Sequence, residues 1–416
     1  MNNHFITEIE IKKIRHLNNI KIDLDRNEPK HLLLTGKNGS GKTTTLKSIK
    51  MYLRSIEYEH GIQTIKIYKK NILDLEKQIK AEINEDIKIS LKNQIENDIN
   101  NINNIGVYGL NVNFNCADKI LNPLYKQGNF ILAYYDSSRV TTVEVPRGVE
   151  KIQLKEVYAL DENPSKAFVK YLVDLKTQQS FARNENDMDT VKNIESWFDR
   201  FQNAMRTILD DSSIILKFDY KNYNFKIIQN NREPYGFNEL SEGYSAILSI
   251  VSDLILRIDK NRATTDSNYI FDTEGIVLID ELETHLHIEL QKSILPFLIQ
   301  FFPNIQFIVT THSPFVLNSI NNAVIYDLEK NIRVEGLMDY SYEGIVEGYF
   351  EIDNYSNELK EKINKYRDLA FRNDLNDEEK ATRAELRIEL KNTANNLAKE
   401  LNLEFNEIEK KRKLIK

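Results

Sequence analysis

The chain has 416 residues, 41% of them hydrophobic, which is enough to bury a full core and leaves room for accessory elements. Its net charge of −7 argues against a strongly basic nucleic-acid-binding domain, although a local basic patch is compatible with it. The single cysteine, Cys116, excludes a disulfide framework, and the apolar runs are too short to span a membrane. No signal peptide is evident, so we expect a soluble cytoplasmic protein without a membrane partner.

A predicted β-hairpin leads into a phosphate-binding loop. Alternating apolar residues at 5–14 and 20–25 predict its strands, and the apolar run 31–35 then enters a segment that matches G-x-x-x-x-G-K-[ST]. Its glycines let successive N–H groups point at an anion, and the following helix adds the positive end of its dipole. We predict Mg²⁺-ATP binding, with Lys42 on the β- and γ-phosphates and the Thr43 hydroxyl on Mg²⁺. The predicted nucleotide-binding residues here are Gly36, Asn38, Gly39, Ser40, Gly41, Lys42, Thr43 and Thr44.

The segment 68–104 is charged and rich in asparagine, with isoleucine and leucine at steps of three and four. This spacing predicts one long helix or a short helical hairpin inserted in the domain. Its spacing drifts from a strict heptad, and the stretch is too short for a long coiled-coil arm. We therefore favour a surface lid over a truncated coiled coil.

Residues 165–210 have helical periodicity around aromatic positions, which predicts a packed helical lobe. Two predicted strands, 214–220 and 225–229, lead from this lobe to Leu240-Ser241-Glu242-Gly243 and an apolar helix. Ser241 followed by Glu242 is a helix N-terminal signal in its own right.

Two later apolar runs end in polar groups, as buried parallel strands do at the sheet edge where ligands bind. Residues 275–279 precede Asp280 and Glu281, and residues 306–311 precede His312. We predict that Asp280 holds Mg²⁺ through water and that Glu281 orients or deprotonates the attacking water. Taken singly, an acidic strand end or a histidine after a strand is also a common structural feature.

In chain order these motifs resemble the head of an ABC-type ATPase, with Walker A, signature, Walker B and switch histidine, over roughly residues 1–330. The resemblance implies an α/β fold, namely a P-loop NTPase head with a mixed β lobe and a helical lobe, to which this sequence adds an inserted helical segment and a helical C-terminal tail. It also implies that His312 contacts the γ-phosphate. Two heads would close on ATP, with Ser241 and Gly243 of one head acting on the nucleotide at Lys42 of the other.

This sequence departs from the ABC pattern at two places. Glu242 and Tyr244 differ from the Leu-Ser-Gly-Gly-Gln signature, although Leu-Ser-x-Gly is common in the DNA-repair and defence branches. No glutamine fits the Q-loop, for which residues 134–139 are the expected region.

Within the superfamily, residues 280–287 and 310–314 resemble the OLD and Septu-type branch of bacterial anti-phage ATPases, to which retron-associated ATPases are similar. The resemblance implies that residues 283–287 form the D-loop at a dimer interface, so His285 and His287 are second-rank candidates. It also implies a separate partner nuclease of the HNH type.

Residues 331–416 are predicted to form closing strands and then, from Glu358, a charged helical tail without glycine or proline. A solvated tail is one interpretation. The other is a surface for a partner or for self-association. The positions that suggest the second are Tyr366, Leu369, Phe371, Leu397, Leu401 and Phe405. A Toprim nuclease domain is disfavoured because no late apolar strand ends in Asp-x-Asp, and no His or Cys follows His312 for a metal site.

We therefore predict an ATPase that dimerises on ATP, can assemble further, and regulates or senses for an effector nuclease in anti-phage defence. Three alternatives stay open. They are a repair or recombination ATPase of the SMC type that acts directly on DNA, a transporter nucleotide-binding subunit, and a scaffold that binds ATP without turnover.

Overall fold

The computed structural model describes residues 4–139, 142–259, 271–334, 345, 357–397 and 405–412. The chain divides into two compact units, Met1–Asp339 and Tyr340–Lys416. None of the described helices is long and apolar enough to cross a membrane.

The described strands are, in chain order, β1 (Ile6–Ile14), β2 (Leu17–Asp23), β3 (His31–Thr35), β4 (Leu110–Phe114), β5 (Phe130–Tyr135), β6 (Ile215–Asp219), β7 (Asn224–Ile228), β8 (Glu274–Ile279), β9 (Ile305–Thr310), β10 (Ala323–Asp327) and β11 (Ile332–Val334). The described helices of the first unit are α1 (Lys42–Leu53), α2 (Gly61–Ala81), α3 (Glu85–Ile105), α4 (Asp118–Lys126), α5 (Phe168–Asn184), α6 (Met188–Ile208), α7 (Glu242–Ile258), α8 (Ile288–Phe301) and α9 (Pro314–Leu317). Those of the second unit are α10 (Asn357–Phe371), α11 (Asp377–Leu397) and α12 (405–412).

The largest sheet has the order β11-β10-β3-β9-β8-β5 and is parallel except for β11 at its edge. Every residue of β3 and β9 is buried, as expected for central strands of a sheet that is covered on both faces. Tyr135 pairs with Ile279, Ile279 with Val309, and Leu34 with Thr310, so the C-terminal ends of four strands lie level. The loops that follow these strands therefore meet at one edge. The predicted α/β fold class is confirmed.

A second, antiparallel sheet has the order β2-β1-β4. The hairpin β1–β2 turns at Arg15 and His16, and Arg15 has a φ of 53°. The sequence predicts that the second strand begins at residue 20. In the structure it begins at Leu17, which is buried and pairs with Ile14.

For residues 68–104 the sequence predicts either one long helix or a helical hairpin. The structure has the hairpin, formed by α2 and α3, and it extends over residues 61–105. The two helices are separated by a turn at residues 82–84. There the Asn84 side chain accepts hydrogen bonds from the amides of Asp86 and Ile87 and so caps α3. Ile72 and Ile102 are fully buried, whereas Ile83 at the tip is 90% exposed. Packing at the base therefore attaches the hairpin to the sheet.

The helical lobe contains α5 and α6, whose buried aromatic rings Phe168, Trp197 and Phe201 pack on one another. The predicted strands of this region are β6 and β7. Helix α7 follows and is buried from Ala246 to Ile258.

The second unit packs α10, α11 and α12 around its own small core. Tyr366, Leu369 and Phe405, whose sequence pattern suggests a partner surface, are buried in this core. That assignment is wrong for these three residues, because a short helical unit must bury its few large apolar side chains internally to be stable. Leu401 lies outside the described residues. The predicted division of the chain lies after residue 330, whereas β11 pairs with β10 inside the first unit.

Candidate nucleotide-binding and active site

The loop between β3 and α1 has the backbone geometry of an anion cradle. Gly36 and Gly41 have φ values of 128° and 98°, a region that side chains with a Cβ rarely adopt. A Cβ on Gly36 would also lie 2.8 Å from the Ser40 Oγ. The Ser40 Oγ is buried and has no hydrogen-bond partner among the described residues, so the cradle contains a polar atom that a bound anion could satisfy.

Lys42 is 6% exposed and its ammonium folds back onto the loop. Its Nζ donates to the carbonyl oxygens of Gly36 at 2.8 Å and Lys37 at 3.1 Å. Burial lowers the pKa of Lys42, and the carboxylates of Glu281, Glu283, Asp280 and Asp327 oppose that shift. The ammonium is held by neutral carbonyls, which phosphate oxygens can replace with stronger charge-assisted bonds.

The two predicted metal ligands are adjacent. Thr43 Oγ1 donates to Asp280 Oδ1 at 3.1 Å, and Thr310 Oγ1 donates to the same oxygen at 2.6 Å. Mg²⁺ is commonly bound by one or two protein oxygens together with waters and substrate phosphates. A hydroxyl and a carboxylate side by side at the mouth of a phosphate cradle fit Mg²⁺-ATP.

Glu281 has a left-handed φ of 48° immediately after β8. Its amide donates to Thr310 Oγ1 at 2.8 Å, and its Oε2 accepts from Thr284 Oγ1 at 3.3 Å. Glu281 lines a cavity of about 270 Å³ together with Arg15, His16, Asn38, Gly39, Gly41, Lys42, Thr43, Thr44 and His312. The structure thus brings most of the predicted nucleotide-binding residues to one cavity.

His312 borders the same cavity, and its backbone amide donates to Glu283 Oε1 at 2.5 Å. Burial lowers the pKa of the imidazole and the charge of Lys42 lowers it further, against the opposing carboxylates of Glu283 and Glu281. The lowered pKa favours the neutral ring at pH 7, which can donate one hydrogen bond to a phosphate oxygen.

Ser241 and Gly243 do not line that cavity. Ser241 is the N-cap residue of α7, makes no side-chain capping bond, and lines a different cavity of about 510 Å³ that Arg232, Tyr235 and Tyr244 also border. A Cβ on Gly243 would lie 2.5 Å from the carbonyl oxygen of His285. Within one chain Ser241 therefore faces a separate surface, and Gly243 packs against the backbone of His285.

Of the second-rank candidates, His285 lies next to the signature motif. Its Nδ1 is 3.3 Å from Glu242 Oε2, and its φ is 65°. His287 is the N-cap residue of α8 and makes no side-chain capping bond. The expected D-loop thus contacts the signature motif of its own chain through His285.

Sequence reasoning missed several residues of the site. Arg15 and His16 reach the cavity from the β1–β2 turn, where His16 Nε2 is 3.3 Å from the Ser40 carbonyl oxygen. Arg139 donates to the loop after β8, and Thr310 holds Asp280. The available signals were the expected Q-loop region, residues 134–139, and the Thr-Thr-His sequence. The approach of the β1–β2 turn depends on tertiary structure alone.

The sheet, the cradle and the convergent Walker residues define a P-loop ATPase with the motif order of ABC-type heads. Residues 155–318 match the family described as "AAA domain, putative AbiEii toxin, Type IV TA system". The chain is 29% identical over 362 residues to the Septu protein PtuA of Bacillus mycoides (strain KBAB4), across 82% of this chain and 45% of that protein.

Two other relatives agree with these matches. A Septu protein PtuA of Bacillus thuringiensis is 26% identical across 79% of this chain and 77% of its own length. An Escherichia coli protein named "Retron Ec83 probable ATPase" is 34% identical across 35% of this chain and 27% of its own length. The chain thus spans less than half the length of the Bacillus mycoides and Escherichia coli relatives. The chain is thus similar to an AAA domain family, to Septu proteins and to a probable retron ATPase.

Proposed function

We propose that this chain binds Mg²⁺-ATP, pairs head to head with a second copy, and hydrolyses ATP at sites shared between the two copies. The observation that carries this proposal is the division of the site into two halves. Lys42, Glu281 and His312 line one cavity, whereas Ser241 lies on another surface of the same unit. A second copy could bring that surface to the open cavity, which would complete the donor set around the γ-phosphate.

The residues of the cavity have distinct roles in this proposal. Lys42 leaves the carbonyls of Gly36 and Lys37 to bind the β- and γ-phosphates, and Thr43 and Asp280 hold the metal. When bound, Mg²⁺ neutralises phosphate charge and so favours in-line attack by water.

Glu281 orients the attacking water and accepts its proton. His312 borders the same cavity and donates a hydrogen bond to the γ-phosphate region. The Ser241 hydroxyl of the second copy supplies another donor to the same oxygens. Since phosphoryl transfer depends on positioning and charge neutralisation, loss of Glu281, His312 or Ser241 lowers the rate more than it lowers binding.

We further propose that ATP-dependent closure controls a separate effector nuclease, suspected to be of the HNH type, in anti-phage defence in the cytoplasm. Support comes from the resemblance of the 280–287 and 310–314 motifs to Septu-type ATPases and from the PtuA relatives. Co-purification of a nuclease with the full chain tests this part. A rate of ATP hydrolysis that rises on adding DNA to the isolated chain would instead favour an SMC-like repair ATPase.

Mixing two inactive variants tests the shared sites. Lys42→Ala removes the phosphate-binding charge, and Ser241→Arg places a large cation where the two copies meet. Each mixed dimer has one site with both defects and one site with neither, so hydrolysis should return on mixing. A monomer that is fully active in sedimentation and turnover experiments, or a mixture that stays inactive, would contradict the arrangement.

A further inference from the structure

Arg139 is a buried cation in the loop after β5, and neither the motifs nor the proposed mechanism uses it. It is 8% exposed. Its guanidinium donates to the carbonyl oxygens of Asp136 at 2.9 Å, Asp280 at 2.7 Å, Glu281 at 2.8 Å and Leu282 at 3.0 Å. Three of these four acceptors are consecutive residues at the end of the Walker B strand.

Consecutive carbonyls of an extended strand point in alternate directions and cannot converge on one group. They converge here because the chain turns at Glu281, whose φ of 48° is uncommon for any residue with a side chain. Such a conformation persists where the surrounding structure over-determines it. Arg139 satisfies the carbonyls from one side of the turn, and Thr310 accepts from the Glu281 amide on the other.

The charge of Arg139 matters as well as its shape. Burial lowers the pKa of the guanidinium, and the carboxylates of Glu283, Asp136, Asp280 and Glu281 oppose that shift. Because arginine stays charged in proteins, it presents a rigid fork of donors that a lysine ammonium cannot reproduce. A group that binds several carbonyls of one turn with such a fork determines the conformation of that turn.

We propose that Arg139 is a positioning residue for ATP hydrolysis, which holds the turn at Glu281 so that the Glu281 carboxylate faces the nucleotide cavity. The inference rests on the proposed role of Glu281. Arg139 does not line the cavity, so it acts on the reaction through Glu281 and has no contact with the nucleotide of its own.

The test compares Arg139→Gln with wild type in the full-length chain and again in the Glu281→Gln background. Alone, Arg139→Gln should lower kcat by about 100-fold, as expected for a catalytic group displaced by about 1 Å, with the KM for ATP within about twofold of wild type. In the Glu281→Gln background the same substitution should change kcat by less than about twofold, because the group that it positions is already gone. Arg139→Lys, which keeps the charge and loses the fork, should fall between wild type and Arg139→Gln.

A purely structural role predicts a different pattern. It would lower kcat by the same factor in both backgrounds or raise the KM with kcat unchanged, and either result overturns the proposal. If Arg139→Gln does not fold, Arg139→Lys measured in the two backgrounds gives the same ratio test. Arg183→Gln is the matched control, since Arg183 is an exposed residue paired with Glu195 and should leave kcat unchanged.

The same assay separates this inference from the proposed function. If Glu281→Gln alone hydrolyses ATP at the wild-type rate, the proposed role of Glu281 fails and Arg139 has nothing to position. If Glu281→Gln is slow and Arg139→Gln multiplies the loss, only the inference about Arg139 is wrong.

Discussion

Replacing Gly243 with alanine should separate the proposed closure of the dimer from nucleotide binding. A Cβ at this position would lie 2.5 Å from the carbonyl oxygen of His285, about 0.9 Å inside the 3.4 Å at which ordinary contacts begin. The contact is with backbone, so neither side can rotate away, and the start of α7 or the turn at His285 must move. Overpacking of this kind typically costs about 1–3 kcal/mol of stability.

The functional consequence follows from where Gly243 lies. It does not line the nucleotide cavity, so binding of a fluorescent ATP analogue by the single chain should stay within about twofold of wild type. A displacement of the signature motif by about 1 Å should lower ATP hydrolysis by about 100-fold and weaken ATP-dependent dimerisation in sedimentation experiments.

Gly148→Ala is the matched control, because a Cβ there meets nothing within 4 Å. It should leave the melting temperature, ATP binding and hydrolysis unchanged. Two results would refute the reasoning about Gly243. Full hydrolysis in Gly243→Ala would show that the signature motif is not part of the reaction, and a loss of ATP binding equal to the loss of hydrolysis would show that its effect does not depend on closure.

Three further predictions concern the cavity and the core. Lys42→Ala should abolish ATP binding in a filter or calorimetric assay, whereas Glu281→Gln should bind ATP and hydrolyse it about 10²–10⁴-fold more slowly, because only the general base is lost. Arg257 and Asp253 are 3% and 0% exposed and pair at 2.7 Å. Arg257→Met leaves this buried carboxylate without a cation and with only the Tyr135 hydroxyl as side-chain donor, so it should destabilise the fold by about 3–5 kcal/mol in denaturant unfolding. Burial lowers the pKa of His31 to about 4, so the folded protein favours the neutral ring. The contribution of this ring to the free energy of unfolding is fully present above about pH 6.5. It should fall by up to about 3 kcal/mol as the pH drops toward 4.

The last two predictions have controls in the same chain. Arg183→Gln removes a cation from an exposed pair and should cost no more than about 1 kcal/mol. His60 is exposed, so the pH dependence of unfolding should be unchanged in His60→Asn and flattened in a variant of His31 that cannot titrate. An equal cost for the two arginine variants, or an unchanged pH profile in the His31 variant, would contradict the account of these buried groups.

The sequence by itself determined the motifs that depend only on residues close together in the chain. The cradle at 36–43 needs glycines at set spacings and a helix directly after them, and both are local properties. The same holds for the apolar strand that ends in Asp280 and Glu281. The fold class followed, because a phosphate loop between a strand and a helix, together with later buried strands that end in polar groups, is typical of a parallel α/β sheet.

Tertiary structure alone decided the contacts between residues that are far apart in the chain. Arg139 reaches three carbonyls that are more than 140 residues away, and His16 approaches Ser40 from another sheet. Neither contact has a periodicity or a spacing that a sequence could show. The second unit illustrates the same limit, since apolar side chains on predicted surface helices fit a partner or their own core equally well.

The physical reason is that local patterns specify backbone geometry, whereas long-range approach depends on how whole elements pack. Glycine spacing and strand ends act over a few residues, so they can be read from the chain. The placement of Gly243 against His285, and of Ser241 away from the nucleotide cavity, results from the packing of the helical lobe on the sheet. The sequence therefore predicted which residues bind and hydrolyse ATP, and the tertiary structure placed Lys42, Glu281 and His312 at one cavity and Ser241 at another.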